Sequence, residues 1–135
     1  IAFESGARRY EPGALNVNGI LGMKAGIELI LGVGVDAIAA QLLRLKTRLV
    51  ERLTPLGFRF IGPLDGPNAS GITTAWREPG SGLALEPLFE ALAAQRIHPS
   101  LRHDRSGRAL KRFSPHFYNT EAEMDRVADA TDGAG

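Results

Sequence analysis

The 135-residue sequence contains no cysteine. That excludes disulfides, a thiol nucleophile and cysteine-ligated zinc from this chain, and it agrees with a cytosolic setting. Charge of one sign is also lacking in excess: the net charge is +1, with 23% charged residues. The basic residues are scattered and form no stripe, so there is no electrostatic footprint for nucleic acid or an anionic membrane. No long apolar run is free of charge. The most apolar stretch, Gly19 to Val35, carries Lys24 and Glu28 near its middle and falls short of the ~20 residues a spanning helix needs. No basic-then-apolar leader opens the chain, and no internal repeat is visible. The three histidines, His98, His103 and His116, lack metal-ligand spacing. The chain opens at Ile1 rather than Met, so its start is not read as a natural terminus.

What is present is an ordinary globular composition, 44% apolar, at a length typical of one domain. Residues 1–15, with Gly6, Pro12 and Gly13, read as an irregular lead-in segment. The domain proper is expected over 16–130, and the tail 131–135 is expected to fray. Ile20, Leu21, Ile27, Ile30 and Leu31 predict a mostly buried helix from Asn18 to about Leu31, ended by Gly32 and Gly34. Asp36 is placed to cap a second helix. In it Ile38, Leu42, Leu45, Leu49, Leu53 and Leu56 keep helical spacing, and Gly57 closes it.

Phe58 to Ile61 and Gly71 to Trp76 predict strands, joined by a loop from Pro63 to Ser70. A turn over Pro79 to Gly82 leads to a short amphipathic helix marked by Leu85, Leu88, Phe89 and Leu92, ending near Arg96. Ile97 to Leu101 and Ala109 to Ser114 predict a hairpin about a turn at Asp104 to Gly107. Thr120 and Glu123 form a capping box for a last helix. The order α-α-β-β-α-β-β-α predicts an α+β fold, a small and mainly antiparallel sheet with helices packed on one face.

Three constellations carry chemistry. Arg112 stands at the end of a strand that Pro115 terminates. A guanidinium there can clamp a carboxylate through two parallel hydrogen bonds, which a lysine cannot match; the alternative is a solvated surface arginine. His116 can act as acid, base or ligand, or simply bond near the helix start. Asn119 or Thr120 caps that helix, with Tyr118 packed beneath it. The second constellation, Gly32-Val33-Gly34-Val35-Asp36-Ala37, imitates a dinucleotide loop. That reading requires a strand before Gly32 and an acidic residue about 20 positions on. The nearest suitable acid is Asp65, so a glycine-broken turn between helices is the better reading. In the third, Arg9-Tyr10-Glu11-Pro12-Gly13-Ala14-Leu15-Asn16, Gly13 leaves backbone amides open to an anion or forms an ordinary turn.

The segment Arg9 to Asn16, followed by Gly19 and Gly22, resembles class V aminotransferases, the fold-type I pyridoxal-phosphate enzymes that include the cysteine desulfurases. The segment Arg112 to Thr120, with Glu123 and Asp125, resembles the closing motif of the same family. Together the motifs span roughly Arg8 to Val127. The resemblance implies a C-terminal small domain whose N-terminal, pyridoxal-phosphate-binding large domain is absent, in a parent enzyme that is a homodimer acting on an amino acid. It implies that Arg112 binds the substrate α-carboxylate, and that Gly13 and Ala14 approach the cofactor phosphate of the partner subunit.

The family usually has threonine where Ala14 stands, so only backbone donors remain there. Lys24, Lys46 and Lys111 do not match the family's Schiff-base lysine, so this chain alone is expected neither to anchor the cofactor nor to catalyse. Desulfurases place a nucleophilic cysteine shortly before the arginine. Its absence here points to an aminotransferase or epimerase type instead. The rival reading is a stand-alone α+β ligand-binding or regulatory module.

Overall fold

The computed structural model describes residues 2–10, 13–78, 80, 82 and 84–134. They fall into two units, residues 1–35 and 36–135.

In the first unit a 3-10 turn at Gly6–Tyr10 precedes helix α1, Val17–Val33. Asn16 caps α1, its side chain accepting from the Gly19 amide at 2.9 Å. Gly34, at φ 92°, closes it and donates its N–H to the Ile30 carbonyl. A helix therefore precedes Gly32, and the dinucleotide reading fails. The expectation of burial fails too: every residue of α1 is exposed, with Leu21, Met23, Leu29 and Leu31 each at 58% or more. Apolar side chains occupy all of its faces. That composition signals burial without specifying the surface that supplies it.

The second unit is an α+β layer pair. Helix α2 spans Val35–Leu53 and passes through a 3-10 turn to Gly57, whose φ of 81° lets the chain reverse. Asp36 thus lies in the first turn of α2 and is not its cap. Strands β1 (Phe58–Ile61) and β2 (Thr73–Arg77) follow, then α3 (Leu85–Ala94), β3 (Ser100–His103), β4 (Ala109–Phe113) and α4 (Glu121–Asp132). Pro79 and Ser81 of the predicted turn lie outside the described residues. The four strands form an antiparallel sheet in the order β1-β2-β4-β3. The hairpin turn is held by Asp104, whose carboxylate accepts from the Ser106 amide and hydroxyl and from Arg108.

Strand alternation sends Phe58, Phe60, Ala75, Leu101 and Phe113 to the helix-covered face. There Leu45, Leu49, Leu53, Leu88, Leu92, Met124 and Val127 complete the core. Each fully buried leucine contributes on the order of 1.5–3 kcal/mol. Helix α4 runs to Asp132, beyond the expected fray point, and Thr131 is buried with its hydroxyl donating to the Val127 carbonyl. Two lysines sit inside this layer. The Lys46 ammonium donates to the carbonyls of Pro63 (2.7 Å) and Ser70 (3.1 Å), and that of Lys111 donates to Leu85 (3.0 Å).

Candidate functional site

Arg112 lies one residue before the end of β4, where Pro115 has no N–H to continue the ladder. Its position decides which loops surround it. Arg112 pairs with Thr74 near the start of β2 and with Ser100 at the start of β3. The β1–β2, α3–β3 and β4–α4 connections therefore gather at this edge of the sheet. The β2–α3 connection and the 104–108 hairpin turn lie at the other. Lys46 ties the β1–β2 connection down from α2. Gly71 packs there so closely that a Cβ would stand 2.8 Å from Leu42.

The guanidinium itself is part-buried. Its Nε is fully shielded and has no hydrogen-bond partner. Neither terminal nitrogen is paired among the described residues, and neither is shielded in the same way, so both remain open. Arg48 shows the contrast. It meets Asp125 in a two-pronged bond, Nε to Oδ1 at 2.7 Å and Nη2 to Oδ2 at 3.0 Å, which draws the Asp125 carboxyl below its ordinary value. A shielded donor without an acceptor costs about 1–3 kcal/mol, and no group among the described residues offsets that cost at Arg112.

The β4–α4 connection is built as a helix start. Thr120 accepts from the Glu123 amide, and the Glu123 side chain accepts from the Thr120 amide at 2.7 Å. The Thr120 backbone bond, followed by the Asn119 amide, lowers the Glu123 pKa. Asn119 takes the His116 amide on its side-chain oxygen at 2.7 Å, while its backbone carbonyl accepts from Gln41. Thr120 is therefore the cap and Asn119 shapes the turn before it. Tyr118 is not beneath the helix. It is 73% exposed and stacks on the His116 ring at 4.2 Å, because the Asn119 turn directs the preceding side chains outward.

A cleft of about 210 Å³ lies on the helix side of this edge, lined by residues including His98, Phe113, Asn119 and Arg126; Arg112 is not among them. The other expected positions, Gly13 and Ala14, belong to the first unit and are exposed; a Cβ on Gly13 would meet nothing within 4 Å. Glu11 and Pro12 of that motif lie outside the described residues.

Sequence reasoning missed the inward lysines and the row of residues beside Arg112. Lys111 falls on the same strand face as Ala109 and Phe113, two residues to either side, and Lys46 follows Leu42 by one helical turn, so both inward positions were readable from spacing alone.

The lysines also test whether this chain can hold a carbonyl cofactor. Lys24 is exposed and pairs with Glu28 at 3.6 Å. Lys46 and Lys111 are buried on backbone carbonyls. None fits an imine-forming role, and Gly13 and Ala14 offer open backbone rather than an enclosed cradle. Among the described residues no group of three His, Cys, Asp or Glu side chains is placed to hold a metal, and no single helix is long and apolar enough to cross a membrane.

The architecture defines a small antiparallel α+β domain that presents Arg112 at one sheet edge without a hydrogen-bond partner among the described residues. The pattern of the family Aminotransferase class-V matches residues 1–127, and the chain belongs to that family, whose full-length members use pyridoxal phosphate. A probable cysteine desulfurase of Xylella fastidiosa strain Temecula1 is 27% identical over 135 residues, covering 95% of this chain and 32% of its own length. A cysteine desulfurase of Synechococcus elongatus is 28% identical over 139 residues, covering 95% and 21%. The apo cysteine desulfurase of Thermococcus onnurineus NA1 superposes with a TM-score of 0.84 at 24% identity, over 96% of this chain and 34% of that one. At that identity the likeness speaks for the fold. The chain spans about a third or less of the length of these relatives.

Proposed function

We propose that this chain is the C-terminal small domain of a pyridoxal-phosphate enzyme of the aminotransferase type that acts on an amino acid, with Arg112 holding the substrate α-carboxylate. The observation that carries this reading is the part-buried Arg112 guanidinium, unpaired at the sheet edge where three connections meet. With Nε shielded, the carboxylate meets the two terminal nitrogens end-on. That fixes the plane of the carboxylate and, through it, the direction of the bond to be broken at Cα. Positioning of this kind can contribute several kcal/mol to a barrier (about 7–11 at the extreme).

The rest of the site belongs to a longer polypeptide. An N-terminal large domain supplies the cofactor lysine, and a homodimer brings the exposed Gly13 and Ala14 amides to the phosphate of the partner subunit. Sulfur abstraction needs a thiolate, and this chain contains none. The reading therefore favours transamination or epimerisation over the desulfurase activity for which the relatives are named. This chain alone is inactive.

The test is Arg112→Ala in the full-length, cofactor-loaded protein. Substrate binding weakens at least about a hundredfold, the loss of two charge-assisted bonds at roughly 1.5–3 kcal/mol each, while cofactor content is unchanged. Arg112→Lys does not restore binding, because an ammonium cannot form the fork. Unchanged kinetics in the alanine variant would refute the carboxylate role.

A further inference from the structure

Arg112 is one member of a row that crosses the sheet. Ile61 pairs with Thr74, Thr74 with Arg112, and Arg112 with Ser100. Residues paired directly across antiparallel strands project to the same face, with Cβ atoms about 4.5–5.5 Å apart. Thr74 and Ser100 therefore stand on either side of Arg112, on the face away from the helices. The opposite face carries Ala75, Lys111 and Leu101. Neither the Thr74 nor the Ser100 hydroxyl has a hydrogen-bond partner among the described residues, and both side chains are part-buried.

The chemistry of the expected ligand explains why two idle hydroxyls beside that arginine matter. A carboxylate offers about four lone-pair sites on its two oxygens. The shielded Arg112 Nε leaves a fork of two terminal nitrogens, which fills half of them. Water must satisfy the remainder, or further donors must do so. A hydroxyl donates one hydrogen bond and can rotate to aim it. The row supplies one such donor from each neighbouring strand.

We infer that Thr74 and Ser100 complete the carboxylate site, each hydroxyl donating to a carboxylate oxygen held end-on by Arg112. The inference rests on the carboxylate reading of Arg112 and adds two positioning residues to it. They act on binding, while Arg112 sets the orientation, and they touch no reacting bond. The arrangement selects a planar, doubly accepting anion. It disfavours a primary amide, whose NH2 would face donors on both sides.

The test uses the full-length, cofactor-loaded protein with the best substrate among the common L-amino acids, and with that substrate's decarboxylated amine. Propionate is the non-reacting probe, with propionamide as its neutral control, and its dissociation constant is read by NMR line broadening. Combining Thr74→Val, which keeps the β-branched shape, with Ser100→Ala is expected to raise the amino-acid KM and the propionate dissociation constant about tenfold. Expected alongside are a kcat within about twofold of wild type, unchanged handling of the amine, and recovery of most of the affinity in Thr74→Ser with Ser100 intact.

Wild-type affinity for propionate in the double variant, with Arg112→Ala weakened, would overturn this inference and leave the Arg112 reading standing. Wild-type affinity in both would overturn both. A double variant that loses folded structure is replaced by the single Ser100→Ala variant, for which an unchanged propionate constant counts against the inference.

Discussion

Replacing Lys111 should change how stability depends on pH. This side chain is 0% exposed. Its ammonium lies 3.0 Å from the Leu85 carbonyl and 5.0 Å from the centre of the Phe89 ring. Burial pulls its pKa down from 10.5 to about 8, against the pull of Glu86 and Glu90, which raise it. Because the folded value lies below the unfolded one, the unfolded chain holds the proton more tightly between these limits. Below about pH 8 both states are charged and the full burial cost is present. As pH rises from about 8 to 10.5 the folded state sheds its proton first and that cost is relieved, so stability rises.

A shift of this size corresponds to a ceiling of about 3 kcal/mol. Relaxation around the buried ammonium and water reaching it reduce this to roughly 1–2 kcal/mol. Lys111→Met removes the charge at similar volume. The expected result is a variant at least as stable as wild type at pH 7, and flatter by about that amount between pH 8 and 10.5. Urea unfolding followed by the fluorescence of Trp76, the chain's single tryptophan, measures the midpoint at each pH, provided m is constant. The difference between wild type and variant removes the other groups that titrate in the window. Parallel pH profiles would refute the reasoning, as would a variant weaker by 2 kcal/mol or more at every pH.

Lys46→Met has the opposite sign. It strands two carbonyls, those of Pro63 and Ser70, and should cost about 1–3 kcal/mol, with amide exchange faster through residues 62–72 before it changes in α4. The apolar surface of α1 is expected to drive self-association of the 135-residue chain. Sedimentation should show concentration-dependent oligomers that disperse when Leu21, Leu29 and Leu31 are made polar, and a strict monomer at high concentration would contradict this.

The strand and helix order was legible because the apolar spacing switches cleanly from 3.6 to 2 at Gly57, and because Thr120 and Glu123 form a cap that depends only on local sequence. Where a neighbour decides the outcome, sequence was a poorer guide. The apolar residues of α1 pointed to burial, yet the helix lies open. Tyr118 looked like packing material, but the Asn119 side chain turns the backbone and leaves the ring stacked on His116 in solvent. Arg112 was visible from the strand end and Pro115. The flanking Thr74 and Ser100 were not, since they lie 38 and 12 positions away in sequence and only the strand register brings them alongside. Lys111 shows the same limit from the other side: its inward position was overlooked although strand alternation implies it, and only the fold provides the Leu85 carbonyl that receives it.

The central claim, that Arg112 holds a carboxylate, is tested most directly by the propionate dissociation constant of the full-length protein with and without its guanidinium. The account predicts that Arg112→Ala weakens propionate at least about a hundredfold while the affinity for propionamide and the cofactor content stay as they were. Equal propionate affinity in the two proteins would contradict it.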